Sequence, residues 1–137
     1  MKRTLLFFAL LIISALSAKS QNFLGYHMKD IKKMMPKVRS GFYLDETTME
    51  SKNPSLKYTD KSEDNTLMFF LDEDGICKYE KFMLDIDKAK YTVDTLTKNY
   101  KYLDDLKWEH DNGRKECLIQ MKNSEWFFTV FITEIKD

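Results

Sequence analysis

Thr66-Leu67-Met68-Phe69-Phe70-Leu71, Asp72-Glu73-Asp74-Gly75 and Ile76-Cys77-Lys78-Tyr79-Glu80-Lys81-Phe82-Met83-Leu84 form the stretch that decides the fold. Two apolar, aromatic-rich runs flank an acidic tetrad that ends in glycine. Aspartate side chains bond nearby backbone amides, and glycine accepts a positive φ, so the tetrad reads as a turn. The flanking runs read as the paired strands of an antiparallel hairpin.

Toward the C-terminus, Asp87 is placed to cap a helix. Val93, Leu96, Tyr100 and Leu103 recur at helical spacing, with Lys88, Lys90, Lys98 and Lys101 left for the outer surface, which predicts a helix ending near Leu106. Lys107–His110 and Lys115–Met121 then flank Asp111-Asn112-Gly113-Arg114, and Asn-Gly between strand-like residues signals a tight hairpin. A two-residue turn there would set His110 opposite Lys115, Trp108 opposite Cys117 and Glu109 opposite Glu116. Asn123-Ser124 turns the chain into Trp126–Ile135, which is apolar on both parities and so predicts a central strand.

Toward the N-terminus, Leu56–Thr59 and Gly41–Met49 read as strands. Before them Leu24, Met28, Ile31 and Met35 mark one face of a short helix that Pro36 ends. The order helix, meander, helix, meander predicts an α+β domain, an antiparallel sheet of about six strands with both helices packed on one face.

The first 20 residues stand apart. Lys2 and Arg3 precede an apolar run from Leu5 to Ile13, and Ser14, Ala15, Ser17 and Ala18 follow. Charged start, short apolar core and small-residue exit are the parts of a cleavable signal peptide. The run is about half of the roughly 20 residues that a spanning helix needs. Cleavage after Ala18-Lys19-Ser20 would leave residues 21–137 as one periplasmic or secreted domain with no stable membrane anchor. No cysteine follows the cut to carry a lipid, since Cys77 and Cys117 are the only two. Losing Lys2, Arg3 and Lys19 shifts a balanced charge to mildly acidic, which offers no electrostatic grip on nucleic acid.

In an exported chain, Cys77 and Cys117 could form a disulfide or remain buried thiols. The chemistry-bearing residues form no recognisable catalytic or metal constellation. Asp72-Glu73-Asp74-Gly75 lacks the later ligands of a calcium loop. His27 and His110 lack the three or four partners of a zinc site, and the expected register leaves His110 diagonal to Cys117. No cofactor is expected.

Aromatic content is the stronger signal, at 14% of the chain. Tyr58, Tyr79, Tyr102, Trp108 and Trp126 combine a large apolar body with a polar handle, which suits a binding surface. They point to a non-enzymatic binding protein contacting another envelope protein. A carrier of a small apolar ligand, with a pocket between sheet and helices, is the alternative, and an envelope hydrolase comes third.

Phe23-Leu24-Gly25, Asp30-Ile31 and Met34-Met35 resemble the opening of small exported bacterial envelope domains: a glycine after a strand end, then a short helix with an acidic–aliphatic pair. The stretch is similar to β-lactamase-inhibitor-protein-like domains and to outer-membrane-assembly accessory domains of the SmpA/OmlA type. The resemblance implies a helix-plus-antiparallel-sheet module that binds protein and has no enzymatic activity. It covers about a dozen residues and carries over no functional residue, and the lipidation cysteine of the second group is missing here.

Overall fold

The computed structural model describes residues 22–46 and 54–136. The expected signal peptide and the end of the first expected strand, residues 47–49, lie outside them. Helix α1 spans Met28–Val38. Strands β1 (Tyr43–Asp45), β2 (Ser55–Thr59), β3 (Thr66–Leu71) and β4 (Cys77–Asp85) follow. A 3-10 turn at Ile86–Lys88 leads into α2 (Ala89–Asn99), and then come β5 (Lys101–Tyr102), β6 (Lys107–Asp111), β7 (Glu116–Asn123) and β8 (Phe127–Glu134).

Among the described residues the strands form one antiparallel sheet in the order β1-β2-β3-β4-β8-β7-β6-β5. The order is symmetric about the β4–β8 pair, so each half is a helix followed by a four-stranded meander. The sheet has eight strands rather than about six. The strand that sequence reading misses outright is β5, because Tyr100 and Leu103 continue the helical spacing of α2 while the helix itself stops at Asn99. Tyr100 is extended and its N–H bonds the Leu96 carbonyl, which closes the helix.

Strand alternation builds the core. Leu56, Phe69, Glu80, Ile132, Ile119 and Trp108 are successive cross-strand partners along one row. Tyr58, Leu67, Phe82, Val130 and Met121 form the next. Both rows are buried, and all their residues except Glu80 belong to one cluster with Ile31 and Met35 of α1, against which Val93 and Leu96 of α2 also pack. Both helices therefore cover the same face, as the pattern predicts.

Local chemistry explains where elements begin and end. Asp72 accepts from the amides of Asp74 and Ile76 at 2.9 Å, and Gly75 sits at φ 79°, so the acidic tetrad makes the β3–β4 turn. The cap before α2 is Asp85 rather than Asp87: its carboxylate accepts from the Asp87 amide at 2.9 Å and starts the 3-10 turn. Helix α1 runs two residues beyond Pro36, because a proline in the last turn forfeits a single backbone bond, and the Arg39 amide bonds Met35 O at 2.8 Å. His27 caps its start through Nδ1, which accepts from the Lys29 amide at 3.1 Å.

The β6–β7 hairpin is wider than Asn-Gly suggests. Asp111 faces Glu116, His110 faces Cys117 and Trp108 faces Ile119, with Asn112–Lys115 as a four-residue loop. Asn112 causes this. Its side chain accepts from the amides of Arg114 and Lys115 at 2.9 and 2.8 Å, and donates to Asn22 Oδ1 and Leu24 O at 2.6 and 2.9 Å. The loop is thus pinned to the segment that enters α1. Glu109 faces Leu118 instead of Glu116 and pairs with Lys101 at 3.7 Å.

Candidate functional site

A cavity of about 270 Å³ lies between the sheet and the helices. Its floor is the centre of the sheet: Leu67 of β3, Phe82 and Leu84 of β4, Val130 and Ile132 of β8, and Ile119 of β7. These residues face the helices by strand parity, and the symmetric β4–β8 pair runs beneath the middle. Lys88, Tyr91, Thr92, Thr95, Leu96 and Tyr100 form one wall along α2. Arg39 and Phe42, between α1 and β1, form another, and Asn22 contributes from the entering segment. Tyr91 and Lys88 are exposed and mark the mouth.

The space lies where α2 covers the sheet only partly. None of its residues is fully buried, whereas α1 buries Ile31 and Met35 completely. Three threonines and a valine in α2 are weak helix formers, so packing rather than propensity must hold the helix. Ala89, Val93 and Leu96 pack against the core, and a polar tie is added where Trp108 Nε1 donates to Thr97 Oγ1 at 3.2 Å. The cavity is slightly below the ~300 Å³ lower end of common small-molecule sites, and like them it is apolar with a few convergent polar groups.

Those polar groups gather around Arg39, Asn22 and Tyr100. The Arg39 guanidinium lies 4.6 Å from the Phe82 ring centroid, a cation–π contact. Burial lowers its pKa, opposed by the attraction of Glu80 and Tyr100. Asn22 is 3% exposed; its Oδ1 accepts from Asn112 and from the Leu24 amide, while its Nδ2 has no hydrogen-bond partner among the described residues.

Beneath them, Glu80 is fully buried in the middle of the core row. Its Oε1 accepts from the Phe23 amide and its Oε2 has no partner among the described residues. Burial raises its pKa to about 7 against the opposing pull of that amide and of Arg39. Glutamate mid-strand in Lys78-Tyr79-Glu80-Lys81 looks like an exposed residue in the sequence. What could have exposed it is parity: Glu80 shares a face with Phe82 and Leu84.

The cysteines are free and buried. Strand β8 runs between the strands that carry them, so their backbones are about two strand spacings, roughly 10 Å, apart. That exceeds the ~7 Å limit for bridging without backbone movement. Cys117 does face His110 directly, yet its thiol contacts Lys115 O at 3.3 Å and Asn22 Oδ1 at 3.5 Å. Burial, reinforced by Glu80, pushes the Cys117 thiol up to about 12, the opposite of what a nucleophile needs. The His110 ring lies tilted against Tyr100, with centroids 4.2 Å apart, and burial lowers its pKa.

The five aromatics singled out by sequence do not share a surface. Tyr58 and Trp108 are core residues on the helix-covered face. Trp126 is 75% exposed in the β7–β8 turn, and Tyr102 is 48% exposed on the edge strand β5. Only Tyr79 lies on the helix-free face, tilted against Phe70 and stacked on Phe131 at centroid distances of 5.0 and 6.2 Å. Nothing in the sequence sets Phe70 and Phe131 apart, because they sit in runs whose two parities are both apolar.

No helix among the described residues is long and apolar enough to cross a membrane. No protein-family model, curated protein or solved structure matches this chain.

Proposed function

We propose that this is an exported, non-enzymatic binding protein that holds a small, mainly apolar molecule in the cavity between its sheet and α2. The cavity carries the reading: an open-mouthed apolar recess over the centre of the sheet, roofed by a helix that seals nothing completely. A core built only for stability would close over such a recess, since apolar surface left facing water forgoes about 25 cal/mol per Å² of burial. Titrating the purified protein with a neutral fluorescent probe such as phenylnaphthylamine tests it. Saturable binding at one site, lost in a Thr92→Trp variant that fills the mouth, is the expected result. Absence of saturable binding overturns it.

A second reading rests on the helix-free face. Phe70, Tyr79 and Phe131 stack across it, with Lys81 and Lys122 5.9 and 5.6 Å from the Phe131 ring centroid. An aromatic row rimmed by lysines suits an acidic, partly apolar patch on another envelope protein. Crosslinking of one saturable partner that a Tyr79→Glu variant abolishes would support it; equal crosslinking by that variant would remove it.

A further inference from the structure

We infer that the cavity takes an amphipathic monocarboxylate, its carboxylate held by Arg39 and Asn22 and its apolar body lying over the central strands. The inference rests on the cavity reading above and adds the chemistry of the ligand's head.

Three independent features converge on it. The first is charge. Among the described residues the lining includes two cations, Arg39 inside and Lys88 at the mouth, and no aspartate or glutamate. In a chain with equal numbers of acidic and basic residues, a recess lined by one sign alone selects against cations.

The second is the orphan donor. Asn22 lines the cavity at 3% exposure, and its amide orientation is fixed because Oδ1 accepts from Asn112 Nδ2 at 2.6 Å. The atom left without a partner among the described residues is therefore Nδ2, a donor. A buried donor is satisfied by an acceptor, which a carboxylate supplies and an alkylammonium does not.

The third is geometry at Arg39. The Phe82 ring supports the guanidinium, and a planar guanidinium meets a carboxylate through parallel N–H···O bonds. Glu80 lies beneath the cavity rather than in its wall; its Oε1 accepts from the Phe23 amide, and its attraction helps to keep the buried Arg39 guanidinium charged. The remaining walls are aliphatic and aromatic, with Thr92, Thr95 and Tyr91 hydroxyls along α2 toward the mouth. A straight or ring-bearing hydrocarbon body fits that surface, with its head inward at Asn22 and Arg39.

Calorimetry on the purified protein with three probes of equal tail tests the head separately from the cavity. Octanoate is expected to bind at one site, tighter than octanol by at least about tenfold, with octylammonium weakest. Arg39→Gln should weaken octanoate far more than octanol, closing the gap between the two. Lys88→Gln, at an exposed position that cannot endanger the fold, should weaken octanoate by about two- to threefold through the lost mouth charge. Octanol binding as tightly as octanoate overturns the carboxylate assignment and leaves the cavity reading standing. Binding of none of the three overturns the cavity reading, and this inference with it. Methyl chemical shifts of Leu96 and Ile119 place the site: unchanged shifts on octanoate addition would mean binding elsewhere and also sink the assignment.

Discussion

The two halves of this molecule share a plan and differ in how the helix meets the sheet. Helix α1 is anchored twice at its N-terminal end, by His27 at its cap and by the adjoining segment, where Gly25 and Tyr26 exchange backbone bonds with Cys77. It drives Ile31 and Met35 into the core. Helix α2 follows a 3-10 turn, has no side-chain cap of its own and buries no residue fully. Two elements of the same length, over the same sheet, thus divide the labour. One closes the core and the other leaves it accessible. The binding role proposed above needs both: a floor rigid enough to hold shape and a wall loose enough to admit a ligand.

The contrast is broken most sharply by truncation. Ile31→Ala should cost about 2–5 kcal/mol in denaturant unfolding, the usual range for a large aliphatic removed from a filled core. Leu96→Ala, from a side chain that already borders space, should cost about 1 kcal/mol. Equal losses would mean that α2 seals its half as tightly as α1.

Next in size is the pH dependence stored in Glu80. An unfolded glutamate titrates near 4.5, and burial raises the folded value to about 7. Between those values the unfolded chain binds fewer protons, so stability falls as pH rises through the window and the loss is complete above about 7. Relative to Glu80→Gln, which keeps an acceptor for the Phe23 amide, the native protein should lose about 2–3 kcal/mol between pH 5 and 8. Parallel stability curves for the two proteins would show that Glu80 titrates normally. The effect belongs to the floor of the cavity and ties its charge state to the space above.

Hydrogen exchange reads the same contrast without mutation. Amides in α2 should exchange at least about tenfold faster than those in α1, since local opening there exposes less apolar surface. Matching protection would mean that the helices open together, as one unit.

What the sequence disclosed follows the same division. The β3–β4 hairpin was legible because Asp72 and Gly75 are turn chemistry that acts locally, and β8 was legible as central from its two-sided apolarity. Local signals failed where a distant partner decides. Asn112 widens its loop because Asn22 and Leu24 hold its amide, and neither neighbours it in sequence. Strand β5 hides inside a helical spacing that Tyr100 and Leu103 prolong after the helix has ended. The cavity was least legible of all. Tyr58 and Trp108 promised a surface by type and proved to be core, while Arg39, Asn22 and Glu80 look like ordinary polar residues until the sheet places them beside one another. Residue type reports what a side chain can do; strand parity and helix stand-off decide whether it meets a ligand.

The smallest expected effect tests the stand-off of α2 most directly. Thr95 faces the cavity, and its hydroxyl returns to the helix, donating to Tyr91 O at 2.8 Å. That bond satisfies the hydroxyl while contributing little, because the Tyr91 carbonyl belongs to the helix ladder anyway. Thr95→Leu removes a β-branched residue from a helix and extends apolar atoms into the void. Both changes stabilise, by about 0.5–1 kcal/mol together. The same variant should weaken octanoate binding severalfold, because the leucine occupies volume the ligand needs. Stability up and binding down in one substitution is the signature of a space kept open for function. A destabilised variant would mean that the wall is already packed against its neighbours, and that the two helices differ less than their burial indicates.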